Sequence, residues 1–281
     1  MRRGGSLIAA IIMAIIGAIT YFSSSSKNEV TGEVQHISIA PDQEVALGLQ
    51  AFPEMAQQFG GEINQPTIND YVEQVGQRIV AKSDAGSGPY KYDFHVLADP
   101  ETINAFALPG GQVSITVGLL KRLHNEAELA GVLGHEIGHV VGRHSAEQLS
   151  KQQFAQTLVG AATIASYNPD RPGSTVQNAA IAAAIGQLVS LRFSRNDELE
   201  ADALGVRLMK EAGYDTRGMH DLLVVLEQQS QGGRTPEFFS THPDPGNRLQ
   251  RVDQLIAQAG GTGGDVAADR FQQNVLRFIR Q

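Results

Sequence analysis

The 281-residue sequence has no cysteine, which removes two devices at once: a disulfide framework and a lipid anchor carried on a thiol. A basic excess is missing too. With 22 lysines and arginines against 30 aspartates and glutamates, the formal net charge is -8. That leaves no electrostatic footprint for nucleic acid and argues against adsorption on an anionic membrane surface. No internal repeat is visible, so a tetratricopeptide array is not expected. A domain without disulfides must rely on core burial, and about 240 residues beyond the apolar N-terminus suffice for one compact unit.

Met1-Arg2-Arg3 precede an apolar run from Leu7 to Phe22, and four serines follow. This layout is that of an export signal. Sixteen apolar residues reach a membrane span once flanking residues contribute, and the preceding arginines favour a cytoplasmic N-terminus with the body outside. No Ala-x-Ala cleavage site follows Phe22, so an uncleaved signal anchor is expected in preference to a cleaved signal peptide.

Residues 135 to 139 read His-Glu-Ile-Gly-His. On a helix, positions i and i+4 share a face, so His135 and His139 can converge on one ion while Glu136 lies to one side. Such an ion becomes catalytic when a third protein ligand arrives from elsewhere and a fourth position stays open to water. The flanking run Glu126–His144 has apolar residues at 129, 132, 133, 137, 140 and 141 and no proline, the pattern of a buried helix. Gly131, Gly134, Gly138 and Gly142 fall on one stripe. Each costs a helix about 1 kcal/mol relative to alanine, so another backbone is expected to come close there.

A candidate partner helix begins near Ser194, a suitable cap, with Asp197 and Glu198 in its first turn. Glu198, Ala201, Asp202 and Gly205 share one face of it, which makes Glu198 the natural third ligand. Asp202, one turn on, is placed to accept the distal N–H of a ligating histidine. Glu200 points elsewhere and reads as a solvated residue. His144 reads as a helix-end residue rotated away from His139, and His36, His95, His124 and His220 carry no motif around them.

With these residues the sequence resembles the gluzincin metallopeptidases that include HtpX, BepA, LoiP and the CaaX prenyl endopeptidase. The family's His-Glu-x-x-His stands at His135, Glu136 and His139, and its Glu-x-x-Ala-Asp at Glu198, Ala201 and Asp202. Asn104-Ala-Phe-Ala-Leu-Pro-Gly-Gly111 and Thr241-His-Pro-Asp-Pro-Gly-Asn-Arg248 resemble two further family segments. The resemblance implies zinc on His135, His139 and Glu198, with Glu136 as the base that takes a proton from water. It also implies that His242 lies close to the metal and can occupy its open position. Arg248 then orients that loop or binds a carboxylate, the substrate's included. Two imidazoles, one carboxylate and no cysteine favour zinc over redox metals.

Tyr92–Leu97 and Gln112–Val117 read as short strands, the second following a Pro-Gly-Gly turn. An exposed edge there would let a substrate peptide add as a further strand, with Asn104, Ala105 and Phe106 on the cleft floor. Helices are expected at roughly 42–58 and 66–84 and over most of 118–258. The expected fold is therefore α+β, mainly helical, a zincin-like domain with a small antiparallel sheet beside the helix of residues 135–139. Four segments follow: a signal peptide or anchor (1–22), a linker (23–40), a zinc metallopeptidase domain (41–258), and a glycine-rich linker with a short amphipathic tail (259–281). Leu158–Ser166 and Ala179–Leu191 read as buried core helices too short to span a membrane, and the loop between them as a candidate lid.

These expectations describe an exported, membrane-tethered zinc endopeptidase of the periplasm or another extracytoplasmic space. Its substrates would be unfolded or misassembled envelope proteins, a role in protein quality control. Two alternatives stay open. One is a latent or vestigial zinc-bearing chaperone with His242 blocking the metal, and the other a zinc hydrolase of small esters.

Overall fold

The computed structural model describes residues 2–165, 192–231, 236–244 and 246–279. In chain order the elements are α1 (Arg2–Ser23), β1 (Ser25–Lys27), β2 (Val34–His36), α2 (Pro41–Gln58), α3 (Pro66–Lys82), β3 (Asp93–Leu97), β4 (Ala105–Leu108), β5 (Gln112–Thr116), α4 (Val117–Leu120), α5 (Glu126–Val141), α6 (His144–Ala165), α7 (Arg195–Glu211), α8 (Arg217–Gln231), α9 (Phe238–Thr241), α10 (Arg248–Gln258), α11 (Ala268–Phe271) and α12 (Arg277–Ile279). The class is mainly helical α+β. The chain divides into two units, one of residues 1–40 and 145–191, the other of residues 41–144 and 192–281.

In the first unit α1 carries an uncharged apolar window, Ser6–Ser23, long enough to cross a membrane. Its contacts are one-sided. Tyr21 stacks on Phe154 of α6 with ring centroids 4.6 Å apart, and a Cβ on Gly17 would come within 2.6 Å of Thr157. A hairpin of β1 and β2 follows, with Ser25 opposite His36. Leu158 and Val159 are 42% and 67% exposed, which corrects the expectation of a buried core helix for that part of the stretch. Ala179–Leu191 and the candidate lid at 167–175 lie outside the described residues.

In the second unit the caps are written in the sequence. Pro66 opens α3, where its missing N–H costs nothing, and Asn125 caps α5 by accepting from the Glu128 N–H. Ser194 and Asp197 form a reciprocal capping box at the start of α7. The three-stranded sheet has the order β3-β5-β4, with β3 and β5 parallel and β4 antiparallel to β5. The expected antiparallel sheet is thus mixed. The Pro-Gly-Gly turn, with Gly110 at φ 84° and Gly111 at φ 109°, closes a hairpin between β4 and β5 and lays β5 beside β3. Residues 105–108, too short a run to announce themselves as a strand, supply the outer one.

Beneath the sheet α5 is buried along its whole length and packs against α7 and α8. The glycine stripe explains how. A Cβ on Gly138 would come 2.9 Å from the Ala201 carbonyl oxygen, one on Gly134 3.3 Å from that of Gly205, and one on Gly131 3.1 Å from that of Gly218. The C-terminal segment closes onto the same unit, with Phe271, Val275 and Leu276 buried. Arg270 and the hydroxyls of Tyr71 and Tyr214 all donate to Glu126 at the first turn of α5.

Candidate metal centre

The α5–α7 contact brings four side chains to one point. His135 and His139 come from α5 and Glu198 from the first turn of α7. His242 follows the single-turn helix α9, and all four are at most 1% exposed. One donor atom from each lies within 4.8 Å of the others. The Nε2 atoms of His135 and His139 are 3.1 Å apart. Glu198 Oε2 is 3.5 Å from His135 Nε2, and its Oε1 is 3.4 Å from His139 Nε2. His242 Nδ1 lies 3.0 Å from Glu198 Oε1 and 3.4 Å from His135 Nε2.

This donor set fits a small divalent cation. Ligands roughly 2.0–2.1 Å from a tetrahedral ion lie about 3.3 Å from one another, close to the 3.0–3.5 Å pairs here within a cluster spanning at most 4.8 Å. Both Glu136 carboxylate oxygens, Glu198 Oε2 and His242 Nε2 are buried without a hydrogen-bond partner. Buried polar atoms normally have partners, so this concentration at one point marks a place where a cation, a water or a substrate completes the bonding.

Charge is arranged accordingly. Burial alone would raise the Glu198 carboxyl, but His242, His135 and His139 hold it well below the usual carboxylate range. Glu136, buried with its nearest cationic candidate, His242 Nε2, 3.7 Å away, is raised by burial, in keeping with a proton carrier. Burial holds His139 well below the ordinary imidazole value. For His135, burial and Arg248 press downward, but hydrogen bonds with Asp202 and Glu198 push it up to about 9. A proton and a cation compete there for the same lone pair.

Asp202 Oδ1 sits 2.9 Å from His135 Nδ1. Arg248 donates to both its oxygens, Nε to Oδ2 at 2.7 Å and Nη2 to Oδ1 at 2.8 Å. Burial would raise Asp202, and Arg248 outweighs it and keeps the carboxylate low. Arg248, only 5% exposed, therefore spends its guanidinium on an internal carboxylate. Its Nη1 makes no hydrogen bond and lies 3.4 Å from Glu198 Oε2, so the same guanidinium reaches from Asp202 to the ligand cluster. Asn104, Ala105 and Phe106 run into and along β4, an outer strand with β5 on one side and no strand on the other among the described residues. The Ile103 carbonyl accepts from the Phe238 N–H, and the Phe238 ring stacks on His242 with centroids 4.2 Å apart, so the start of β4 adjoins the centre.

Two expectations change. His144 is not rotated away: it is 1% exposed and its Nδ1 lies 2.9 Å from His139 Nδ1. Glu200 is not merely solvated, since its Oε2 lies 3.1 Å from His144 Nε2. The cause is a break in the helix. Arg143 has φ 55°, a left-handed conformation that costs a non-glycine residue about 1–3 kcal/mol, and it is tied down by an ion pair with buried Glu44. Phe193, stacked 3.9 Å from the His139 ring, and Phe238, at the start of the single-turn α9, carry no periodic signal in the sequence. The other histidines pair elsewhere, His95 with Glu62, His124 with Glu128 and His220 with Asp253.

A buried His, His, Glu cluster with an adjacent unpartnered glutamate, set between a short sheet and a glycine-striped helix, defines a metallopeptidase. The model of peptidase family M48 matches residues 66–256, and the chain belongs to that family. It is a metalloendopeptidase acting on polypeptides. It is 32% identical over 259 residues to the mitochondrial metalloendopeptidase OMA1 of Schizosaccharomyces pombe, covering 91% of this chain and 72% of that protein. It is 32% identical to the putative beta-barrel assembly-enhancing protease of Vibrio cholerae over 86% of this chain, and to the beta-barrel assembly-enhancing protease of Escherichia coli over 66%. These matches span 54% and 38% of the two bacterial proteins.

Proposed function

We propose that this chain is a zinc endopeptidase tethered to a membrane by α1, acting outside the cytoplasm on unfolded or misassembled envelope proteins. The observation that carries the chemistry is the convergence of His135, His139 and Glu198 beside a buried, unpartnered Glu136. His135, His139 and Glu198 would hold the zinc, which when bound would supply Lewis-acid polarisation of a peptide carbonyl and a water of lowered pKa. Glu136 then takes the proton from the attacking water and returns it to the leaving amine. Asp202, charged because Arg248 neutralises its surroundings, accepts the Nδ1 proton of His135 and leaves Nε2 free to ligate. β4 has no strand on its outer side among the described residues, but all four of its residues are buried, so the exposed edge expected from the sequence is absent in this conformation, and strand addition by an extended peptide requires that edge to be uncovered first. The uncharged window of α1 and the names of the bacterial relatives support the membrane and envelope assignments.

His242 favours a second state of the same enzyme. It sits against Glu198 and within 3.7 Å of Glu136, and in a latent state it would contend with water for the metal's fourth position. Casein digestion by the purified chain with zinc, and with a chelator as control, separates the readings. Glu136→Gln should abolish cleavage while zinc stays bound, and cleavage that persists would sink the proposed base. Activity gained in His242→Ala would identify His242 as a gate, and ester cleavage without casein cleavage would point to a different hydrolase.

A further inference from the structure

His139, His144 and Glu200 form a line that leads away from the metal centre. His139 Nδ1 lies 2.9 Å from His144 Nδ1, and His144 Nε2 lies 3.1 Å from Glu200 Oε2. In an unbroken helix His144, five residues after His139, would stand about 140° around the axis. Instead α5 stops at Val141, Arg143 turns left-handed, and His144 folds back over Gly142. The room for its ring exists because residue 142 is glycine: a Cβ there would come 2.4 Å from His144 Nε2. The chain thus gives up a helical turn, and places an arginine in a strained conformation, at the point where this histidine meets the ligand cluster.

The protons on this line have one consistent arrangement. If His139 offers Nε2 to the metal, its proton sits on Nδ1 and must be donated. His144 Nδ1 is the acceptor within reach, so it carries no proton. The His144 proton is then on Nε2, where it is donated to Glu200. We infer that His144 and Glu200 form a positioning relay that fixes the tautomer and ring orientation of His139. This rests on the reading of His139 as a metal ligand. Asp202 does the corresponding work for His135 directly, whereas Glu200 acts through the intervening His144 ring. The relay therefore has a direction: every group in it must accept from the side of the metal and donate outward, and the last group must be an acceptor.

That direction sets the test. Zinc affinity of the full chain is measured by competition with a chromogenic chelator, a readout independent of turnover. Outer partners of metal-bound histidines change metal affinity by about 10–100-fold when lost. His144→Leu should weaken zinc binding by about that factor. His144→Gln should stay within about threefold of the native chain, since its amide can accept from His139 and donate to Glu200. At position 200, on the first turns of α7 and 26% exposed in its side chain, Glu200→Gln keeps an acceptor and should be mild. Glu200→Lys presents only donors, would force the His144 proton to Nδ1 against His139, and should weaken binding by about 10-fold or more. The relay is overturned if Leu and Gln at 144 act alike, or if Gln and Lys at 200 act alike; the second pair decides the matter should His144→Leu fail to fold. His139→Ala keeps the two readings distinct. Native zinc affinity in that variant would remove the ligand assignment itself, whereas its loss together with no effect at 144 and 200 would remove the relay alone.

Discussion

Two helices of this chain are comparably apolar and meet opposite fates. In α5 every residue is buried, including Glu126, Glu128 and Glu136. In α1 the apolar window is 6% buried, and Leu7, Ile8, Ile11, Ile12, Ile15, Ile16 and Ile19 are each at least half exposed. Burying one such side chain is worth about 1.5–3 kcal/mol, so leaving seven bare in water would forgo as much as a small domain's whole stability of roughly 5–15 kcal/mol. Apolar content therefore does not place a helix. What separates the two is complementarity. The glycines of α5 match backbone of α7 and α8, Glu126 is met by Arg270 and two tyrosines, and Glu128 by His124 and Asn125. The bare face of α1 matches hydrocarbon, the solvent the proposed anchor needs.

The comparison can be broken at several points, the sharpest being the acid that α5 buries without a partner. Glu136→Gln should lower turnover by about 10²–10⁴-fold, the usual worth of a general base, with bound zinc unchanged by metal analysis. On the bare helix, Ile15→Arg puts a charge near the middle of the proposed span at a cost of about 2.5–3.5 kcal/mol. The variant should leave the membrane fraction on carbonate extraction, and retention equal to the native chain would count against the anchor. Because the chain has no cysteine, a single Ile12→Cys can also be probed with an impermeant maleimide and should react only after detergent is added.

Covered and bare glycines should differ next. Gly138→Val drives side-chain atoms into the backbone of Ala201, and overpacking of this kind costs about 1–3 kcal/mol, visible as a lower melting temperature. The smallest effect is expected at the exposed end of the acid network. Burial would raise Glu126, but its bonds from Arg270, Tyr71 and Tyr214 hold it below the usual carboxylate value. It therefore stabilises the fold above about pH 4.3, its unfolded value, and that stability is lost as pH falls through the lower folded value. Arg270, half exposed, contributes on the order of 0.5–1 kcal/mol at neutral pH, so Arg270→Ala should move acid unfolding slightly upward in pH. An unchanged acid midpoint would show that the two tyrosines suffice.

What was readable in the sequence shares one property: it is carried by helix periodicity. His135 and His139 one turn apart, Glu198 and Asp202 one turn apart, the glycine stripe and the caps at Asn125 and Ser194 all follow from 3.6 residues per turn. His144 was misplaced because the same periodicity was extended across Gly142 and Arg143, where the chain leaves the helix. Glu200 was misread with it, since a carboxylate on the far face looks solvated until something folds over to meet it. The sheet was misjudged because four residues, Ala105–Leu108, are too few to show alternation, and strand order depends on which neighbour the hairpin lies against.

The sequence alone therefore determined the local chemistry: a helix presenting two imidazoles and a carboxylate, a second presenting two carboxylates, and an uncharged N-terminal run of spanning length. Those are short-range properties, set by the side chains within a few turns of one another. Only the tertiary structure decided that Arg248 is committed to Asp202, that His242 stands over Glu136, and that His139 is backed by His144 and Glu200. Each of these contacts joins residues brought together by packing or by a break in the helix, and hydrogen-bond partners across such gaps are chosen by distance in space, which no spacing along the chain encodes.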